Sequence, residues 1–453
     1  MKKNVLYDYV IIGSGPAGSL LAWLLSKKGF RICIVERSNN KKNHLNPFVD
    51  ISSFDYLPFF SNKKGGNSEL WHNKILLLSK NEFKKKNWNF SYHELKKYNF
   101  ELQKKLGVNS NLIKFFTEKK FKISQSIRYK FNNIFDYLNI KNNSNITVIE
   151  DSSPKKVYDD KKGFVKRIDI INSKKKVRSI NIKKSLILAC GGLGNAHVIL
   201  NLFKKFKDKR LSFVDHPHIK IGNFSKEVFK NFNHYSKYFL TKKKLEKNIF
   251  DEFKNTFAVI QISVNAPDDF TRNLEKKIYQ TKNKFTQLFV FLLKKFFYYF
   301  YKFKIYFKKK YCLEFSFSQK KDSGKIILTK KLDKFGLKKI KINWKILNTD
   351  KRIYKYLIYK NLKKFNLNTN FDFSKSLKNV YVGIHPSCST PITENKKSIG
   401  VNKDLKLNQY SNVFTLGSNI FPRNGFTNPT WTIMILSLRL SEYLSKFENK
   451  LKN

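Results

Sequence analysis

The chain has 453 residues, 41% of them hydrophobic, which excludes a disordered chain and leaves room for two or three packed units. Its 91 Lys and Arg against 33 Asp and Glu give a formal charge of +58, read either as compositional drift toward Lys, Asn, Ile, Phe and Tyr or as attraction to an anionic surface. Nucleic acid is the weakest partner, because the Lys runs at 84–86, 174–176 and 242–244 are dispersed and no zinc-finger, RNA-recognition or basic-zipper pattern accompanies them.

The apolar run Tyr9 to Ile12 predicts a buried parallel strand, followed by Gly13, Gly15 and Gly18 at G-x-G-x-x-G spacing, a helix, and a second strand from Ile32 to Val35 closed by Glu36. In that pattern Gly13 permits the turn, Gly15 lets a pyrophosphate approach backbone N–H groups, and Gly18 lets helix and strand pack closely. Pro16 and Ala17 complete the turn, and Glu36 is placed to accept hydrogen bonds from a ribose. Gly65-Gly66-Asn67-Ser68 with Trp71 is by itself an ordinary loop, though its glycines allow backbone to come close to a flat ligand. Ser91 and Glu94 form a predicted capping box stapled by Phe90 and Leu95, and Leu95, Tyr98, Leu102 and Leu106 mark one apolar helix face.

Short strands are expected at Ile146–Ile149, Phe164–Ile171, Val177–Ile182 and Leu186–Ala189, a meander that feeds back into a buried strand. The last runs into Cys190-Gly191-Gly192 and a helix through Asn195 to Leu202, a second strand-glycine-helix junction. In the middle, strands at Phe257–Val264, Leu313–Gln319, Lys325–Leu328 and Ile340–Trp344 predict one antiparallel sheet. Residues 285–311 are dense in Lys, Phe and Tyr; they read as an interfacial membrane helix or as a surface helix covering the sheet. Near the end, Tyr381 to His385 is a short strand ending in a histidine, Val413 to Leu416 another, and Gly417 and Ser418 follow it. Asn428, Pro429 and Thr430 then open a helix with Asn428 at its N-cap and Pro429 at N1. Four cysteines without a C-x-x-C indicate neither a disulfide framework nor a metal site. A strand beginning within ten residues of Met1 leaves no room for a signal peptide, and no stretch reaches roughly 18 uninterrupted apolar residues. The expected location is therefore cytoplasmic, with peripheral contact at the inner face of an anionic membrane as the reading that uses the charge.

Taken together, these blocks resemble the glucose-methanol-choline (GMC) FAD-dependent oxidoreductases, in particular the bacterial branch of pyranose-type sugar oxidases and dehydrogenases. The likeness is carried by Gly13-x-Gly15-x-x-Gly18 with Glu36, the loop from Gly65 to Ser68, the Cys190-Gly191-Gly192 junction, Asp215-His216-Pro217, and the C-terminal block from Asn412 to Leu440. The resemblance implies an α/β fold. Residues 1–80, 145–222 and 381–453 would build a Rossmann-like FAD-binding domain, 81–144 a helical connecting region, and 223–380 a substrate domain on an antiparallel sheet. It implies noncovalent FAD held by Gly13, Gly15, Pro16, Ala17, Gly18, Glu36, Gly66, Asn67, Ser68, Gly191, Asn195, Gly417, Ser418, Asn428, Pro429 and Thr430, because Leu70 stands where some relatives attach the flavin to a histidine and His72 lies on the wrong side.

The implied reaction is oxidation of an alcohol, with a sugar or polyol favoured, by hydride transfer to flavin N5. His385 is the acid–base residue by motif position and Asn428 its partner, with His216 and His218 as rivals. The electron acceptor stays open. The family pattern H-x-x-G-T-x-R-M departs here to His385-Pro386-Ser387-Cys388-Ser389-Thr390-Pro391-Ile392, which opens a flavin-binding pseudoenzyme as an alternative beside an enzyme of lipid or isoprenoid alcohols at the membrane.

Overall fold

A computed structural model describes residues 5–38, 48–50, 61, 63–69, 71, 74–83, 88–108, 114–118, 121–128, 133–206, 208–225, 245–263, 288, 289, 292, 293, 296, 299, 310–319, 323–367, 371–378, 380–382, 385–425 and 427–449. The first apolar run forms β1 (Leu6–Ile12), whose last residues are buried on both faces, as a central parallel strand requires. Parallel partners flank it: β2 (Ile32–Val35) on one side, itself paired with β6 (Ile146–Ile149), and β9 (Val177–Leu188) on the other, paired in turn with β18 (Val413–Thr415). Helix α1 (Pro16–Ser26) starts at the glycine turn with Pro16 in its first turn and is apolar nearly all round. It lies between the sheet and α5 (Pro429–Asn449), the long C-terminal helix, so both of its sides are covered. A Cβ on Gly18 would stand 2.0 Å from the Gly13 carbonyl oxygen, so helix and strand meet there as the spacing predicts.

The two strands expected at Val177–Ile182 and Leu186–Ala189 are one. The twelve residues of β9 join the parallel and antiparallel parts of one seven-stranded sheet, pairing antiparallel with β8 (Val165–Asn172) through Val177–Asn181 and parallel with β1 through Asn181–Leu188. The meander has a further strand that periodicity misses, β7 (Ser152–Asp159), where Pro154 and the lysines at 155 and 156 obscure the alternation.

The single antiparallel sheet expected in the middle of the chain divides into two. β15 (Gly324–Leu332) and β16 (Lys338–Trp344) pair with β10 (Leu211–Phe213), and their Ile326, Ile340 and Ile342 enter the same core as β1 and α1. The larger sheet runs β17 (Tyr381–Val382), β11 (Pro217–Ser225), β14 (Lys310–Phe317), β13 (Thr256–Ser263), β12 (Leu245–Phe253), β5 (Phe121–Arg128) and β3 (Lys74–Ile75), with β4 (Lys114–Glu118) beside β5. Lys114–Glu118 and Phe121–Arg128, expected within a helical connecting region, are thus strands of this sheet. On one face Ile219, Ile249, Ile260, Leu313, Phe315 and Phe317 pack beneath α4 (Asn348–Lys364) in a second core. On the other face β11 and β14 carry His218, Glu314 and Ser316. The helical part of the connecting region is α2 (Tyr92–Lys105). Ser91 caps it by accepting from Glu94 N at 3.0 Å, but the Glu94 carboxylate accepts from Arg439 at 2.7 Å instead of reaching back, so half of the expected box forms.

Candidate active site

A cleft enclosing about 250 Å³ runs along the carboxyl ends of β1, β9 and β18, where an open parallel sheet places its ligand. At one end lie Gly13, Gly15, Pro16, Ala17, Glu36 and Arg37; Gly66, Asn67 and Trp71 cover it; Gly191 to Gly194 form its floor; and His385, Gly417, Ser418, Pro429 and Thr430 close the other end. Segments separated by about four hundred residues of sequence therefore share one surface.

Three helices begin on that cleft: α1 at Pro16, α3 (Gly191–Leu202) at Gly191, and α5 at Pro429. None has an acidic residue in its first turn, and neither α1 nor α3 has a side-chain cap. Their positive dipole ends and amino-terminal N–H groups are thus left to an anionic ligand. Ser14, between the first two glycines, organises the entrance in a way the spacing does not announce. Its backbone N–H and hydroxyl donate to Glu36 Oε2 at 2.8 and 2.6 Å, and its Oγ accepts from Gly65 N at 3.1 Å, so one hydroxyl joins the first turn, the acid and the second glycine loop. Glu36 also accepts from Ser38 N at 2.8 Å, so the carboxylate expected at a ribose first holds its own turn, with one of its roughly four acceptor positions left.

Four expected cofactor residues stand off the cleft lining: Gly18 packs α1 against the Gly13 turn, Asn428 meets His385, and Asn195 and Ser68 serve the loops. Asn195 is fully buried and braces the junction: Oδ1 accepts from Cys190 N at 2.8 Å while Nδ2 donates to Asn419 Oδ1 at 2.7 Å. Ser68 donates to Gly65 O at 2.6 Å and accepts from Ile134 N at 3.3 Å. Leu70 and His72, on which the noncovalent attachment rests, lie outside the described residues. Sequence reading misses Arg37, Phe48, Ser153, Pro154, Leu193 and Val198, all on the cleft. Ser153 belongs to the unrecognised β7, and its fully buried hydroxyl has no hydrogen-bond partner among the described residues.

At the far end the two expected chemical residues meet. His385 Nε2 lies 3.4 Å from Asn428 Nδ2, and with the amide in this orientation Nε2 is the acceptor, a ring nitrogen able to take a proton. The backbone around the histidine is pinned from several sides. Buried Asp215 accepts from His385 N at 3.0 Å and from His216 N at 2.7 Å, and its carbonyl accepts from Asn424 at 2.6 Å. The altered run after His385 is held as a strap: Pro386 O accepts from Ser418 Oγ at 2.6 Å, Cys388 N donates to Ser418 O at 3.1 Å, and Thr390 N to Asn419 O at 2.9 Å. Gly192 makes the strap's approach feasible, since a Cβ there would stand 2.1 Å from Pro386 O. Cys388 is buried, as a small packed residue should be.

The rival histidines separate by environment. His216 sits edge-on to His385, ring centroids 5.4 Å apart, and burial, aided by the neighbouring histidines, pushes its pKa well below the ordinary value, so it is a neutral ring. His218 faces the other way, its Nδ1 2.8 Å from Glu314 Oε1 on the large sheet. Beyond the cleft, His197 stacks on Phe48 and is lowered to about 3 by burial and by Arg37. Arg37 pairs with buried Asp333 at 2.7 Å.

The opening segment matches an NAD(P)-binding Rossmann-like domain over residues 11–40. A 39-residue stretch is 44% identical to thiamine thiazole synthase of Aeropyrum pernix, covering 9% of this chain and 14% of that protein. Among solved structures, pyridoxine 4-oxidase from Mesorbium loti aligns with a TM-score of 0.64 at 11% identity over 96% of this chain and 99% of the other. A formate oxidase aligns with a TM-score of 0.64 at 12% identity over the whole of both chains, and a variant of the Aspergillus oryzae RIB40 formate oxidase with 0.63 at 11%, again over both in full. The fold is that of the GMC oxidoreductases. Within the GMC fold, the split of the middle strands into two sheets and the mixed pairing of β9 follow from the topology already described.

The residues fit a dinucleotide in three respects. Glycines line the cleft where side chains would fill it, three helix N-termini face it, and a buried serine hydroxyl on its wall has no partner among the described residues.

Proposed function

We propose that this chain is an FAD-dependent oxidoreductase of the GMC family that oxidises a CH–OH group of a small polar alcohol, with a sugar or polyol favoured. One observation carries the reading: His385 and Asn428 come together at the end of a glycine-lined cleft whose opposite end is formed by the G-x-G-x-x-G turn and Glu36. The solved neighbours are named as oxidases of pyridoxine and formate, and one of the formate oxidases carries a mutation with an effect on FAD modification.

In this reading the amino-terminal turns of α1 and α3 and the remaining acceptor site of Glu36 hold the dinucleotide end, with Gly66, Asn67 and Trp71 folded over it. Bound FAD supplies a two-electron acceptor for the hydride of the carbinol C–H bond. The protein supplies the rest. The substrate hydroxyl would replace the Asn428 amide at His385 Nε2, which accepts the hydroxyl proton as the C–H bond breaks, while Asn428 Nδ2 donates to the same substrate oxygen. Pro429 and Thr430 at the start of α5 direct a positive dipole end at the negative charge that develops there. Asp215 and the strap from Pro386 to Thr390 keep the imidazole in place; these bonds replace the glycine, arginine and methionine of the family pattern, so the altered motif does not favour a pseudoenzyme. The same reading gives the chain peripheral contact with an anionic membrane from the cytoplasmic side.

Anaerobic titration tests the proposal. Purified protein is expected to be yellow, to release FAD on heating without protease treatment, and to bleach with a sugar or polyol. His385→Ala is expected to keep its FAD and lose about 10²–10⁴-fold in the rate of bleaching. A variant that bleached at the wild-type rate would overturn the role of His385, and a colourless protein unable to bind added FAD would overturn the whole reading.

A further inference from the structure

Among the described residues, twelve large apolar side chains are 42–64% exposed, and five of them fall within twelve positions of the chain: Leu288 at 56%, Phe289 at 56%, Leu292 at 54%, Phe296 at 64% and Tyr299 at 64%. The other seven are scattered over β1, α2, β9, β15, α4 and the short helix at Ile134–Tyr137. All five are helical. Leu288, Leu292 and Phe296 recur at intervals of four, and Phe289 to Leu292 and Phe296 to Tyr299 at three, the spacing at which helical residues share a face. Exposed apolar side chains are ordinary when single; a contiguous helical stripe of aromatic and leucine side chains marks a surface that is covered in use.

The sequence segment that carries these residues is strongly basic, which bears on the chemistry of what covers them. Between Glu275 and Glu314 the sequence holds eleven lysines and no acidic residue, within a chain whose net charge is already +58. A second copy of this chain would bring an equally basic surface against it, and like charge opposes that contact. A bilayer with acidic headgroups meets both demands: acyl chains for the apolar side chains and anionic headgroups for the lysines of the same sequence segment. No helix of the described residues is long and apolar enough to cross a membrane.

We propose that the helical stripe Leu288, Phe289, Leu292, Phe296 and Tyr299 is the element by which this protein docks on an anionic lipid surface. The proposal does not depend on the redox reading, because its readout is lipid binding and not turnover.

The full-length protein is floated with vesicles of phosphatidylcholine containing about 30 mol% phosphatidylglycerol, and with phosphatidylcholine alone. Wild-type protein is expected to float with the acidic vesicles and to stay largely bound when salt is raised to about 0.5 M, since salt screens the lysines but not the buried stripe. The charge-neutral triple variant Leu288→Ser, Phe289→Ser, Leu292→Ser is expected to partition at least about tenfold more weakly. These positions are exposed, so its circular dichroism and its FAD content should match wild type. Three outcomes would overturn the proposal: failure of the wild type to float, complete release by salt, or a triple variant that floats as well as wild type. So would a triple variant that turned a dimer into a monomer in sedimentation velocity with lipid binding unaltered, because the stripe would then be a contact between copies.

Discussion

The two largest sheets of this protein bury their residues in opposite ways. In the parallel part of the seven-stranded sheet both faces are covered, and Tyr9–Ile12 of β1 and Ile32–Val35 of β2 read as unbroken apolar runs because all their side chains are buried in the main core. The eight-stranded sheet packs the second core beneath α4 on one face, and on the other a smaller cluster of Leu76, Phe250, Phe257 and Val259 beside buried polar residues. Along β14, Leu313, Phe315 and Phe317 enter that second core while Glu314 and Ser316 turn the other way to meet His218. The first sheet holds glycine turns against a cofactor-sized cleft and admits no spare volume. The second presents alternating chemistry and tolerates polar atoms on one side. What each sheet does to a mutation should differ accordingly.

The largest expected effect lies in the parallel half. Gly18→Ala forces a Cβ against the Gly13 carbonyl, and we expect a loss of about 3 kcal/mol in denaturant unfolding together with loss of bound FAD. A variant of wild-type stability that remained yellow would mean that the turn is looser than its contacts say.

In the antiparallel half the corresponding test is Asp251, which anchors β12 to α4 through Lys360 at 2.9 Å, Lys364 at 3.2 Å and Asn361 at 3.1 Å. These cations hold its carboxyl below the usual range against a burial that pushes the other way. Asp251→Ala is expected to cost about 2 kcal/mol, less than a fully buried pair because both lysines are partly exposed. Hydrogen exchange should quicken in β12 and α4 while FAD content is kept, whereas simultaneous loss of FAD would show that the two cores fold as one.

Acid should act on both halves through two buried histidines, His197 beside α3 and His216 at the junction with the large sheet. Burial lowers both, His197 to about 3. The unfolded chain then binds more protons than the folded one below its ordinary histidine pKa of about 6.5, so this stability is complete above that pH and lost as pH falls. Each histidine contributes up to about 1.4 kcal/mol per pH unit in that window. Unfolding free energies measured between about pH 6.5 and 5 should show this slope, and His197→Gln should remove roughly half of it; a flat profile in the wild type would contradict the burial of both rings.

The smallest effect belongs to a local feature outside either sheet. Ser91→Ala removes the cap of α2 and should cost about 1 kcal/mol without changing flavin reduction.

Much of the candidate site is legible in the sequence. The run from Tyr9 to Glu36, the glycines at 191 and 417, His385 and Asn428 all stand where their residue types point, because a turn after a buried strand and a helix start each leave a local signature. Asn195 and Ser68, expected on the cofactor, lie one layer behind it, and nothing in the spacing singles out Ser14. A serine between glycines carries no signal of what its hydroxyl will reach across the fold. Likewise β7 is hidden by Pro154 and its lysines, and the division of the middle strands into two sheets is invisible because period-two alternation tells that a residue is buried, not against which core.

By itself, then, the sequence determined the elements whose physics is local: the strand-turn-helix that opens the chain, the capped helices, the histidine at a strand end and the asparagine before a helix. The tertiary structure alone decided which distant pieces meet. It brought His385 to Asn428 and to the turn at Gly13, pinned both histidines of the junction on Asp215, and gave β9 both parallel and antiparallel neighbours in one sheet. The reason is that hydrogen-bond geometry and close packing between segments hundreds of residues apart are set by the whole core, and no window of sequence contains that information.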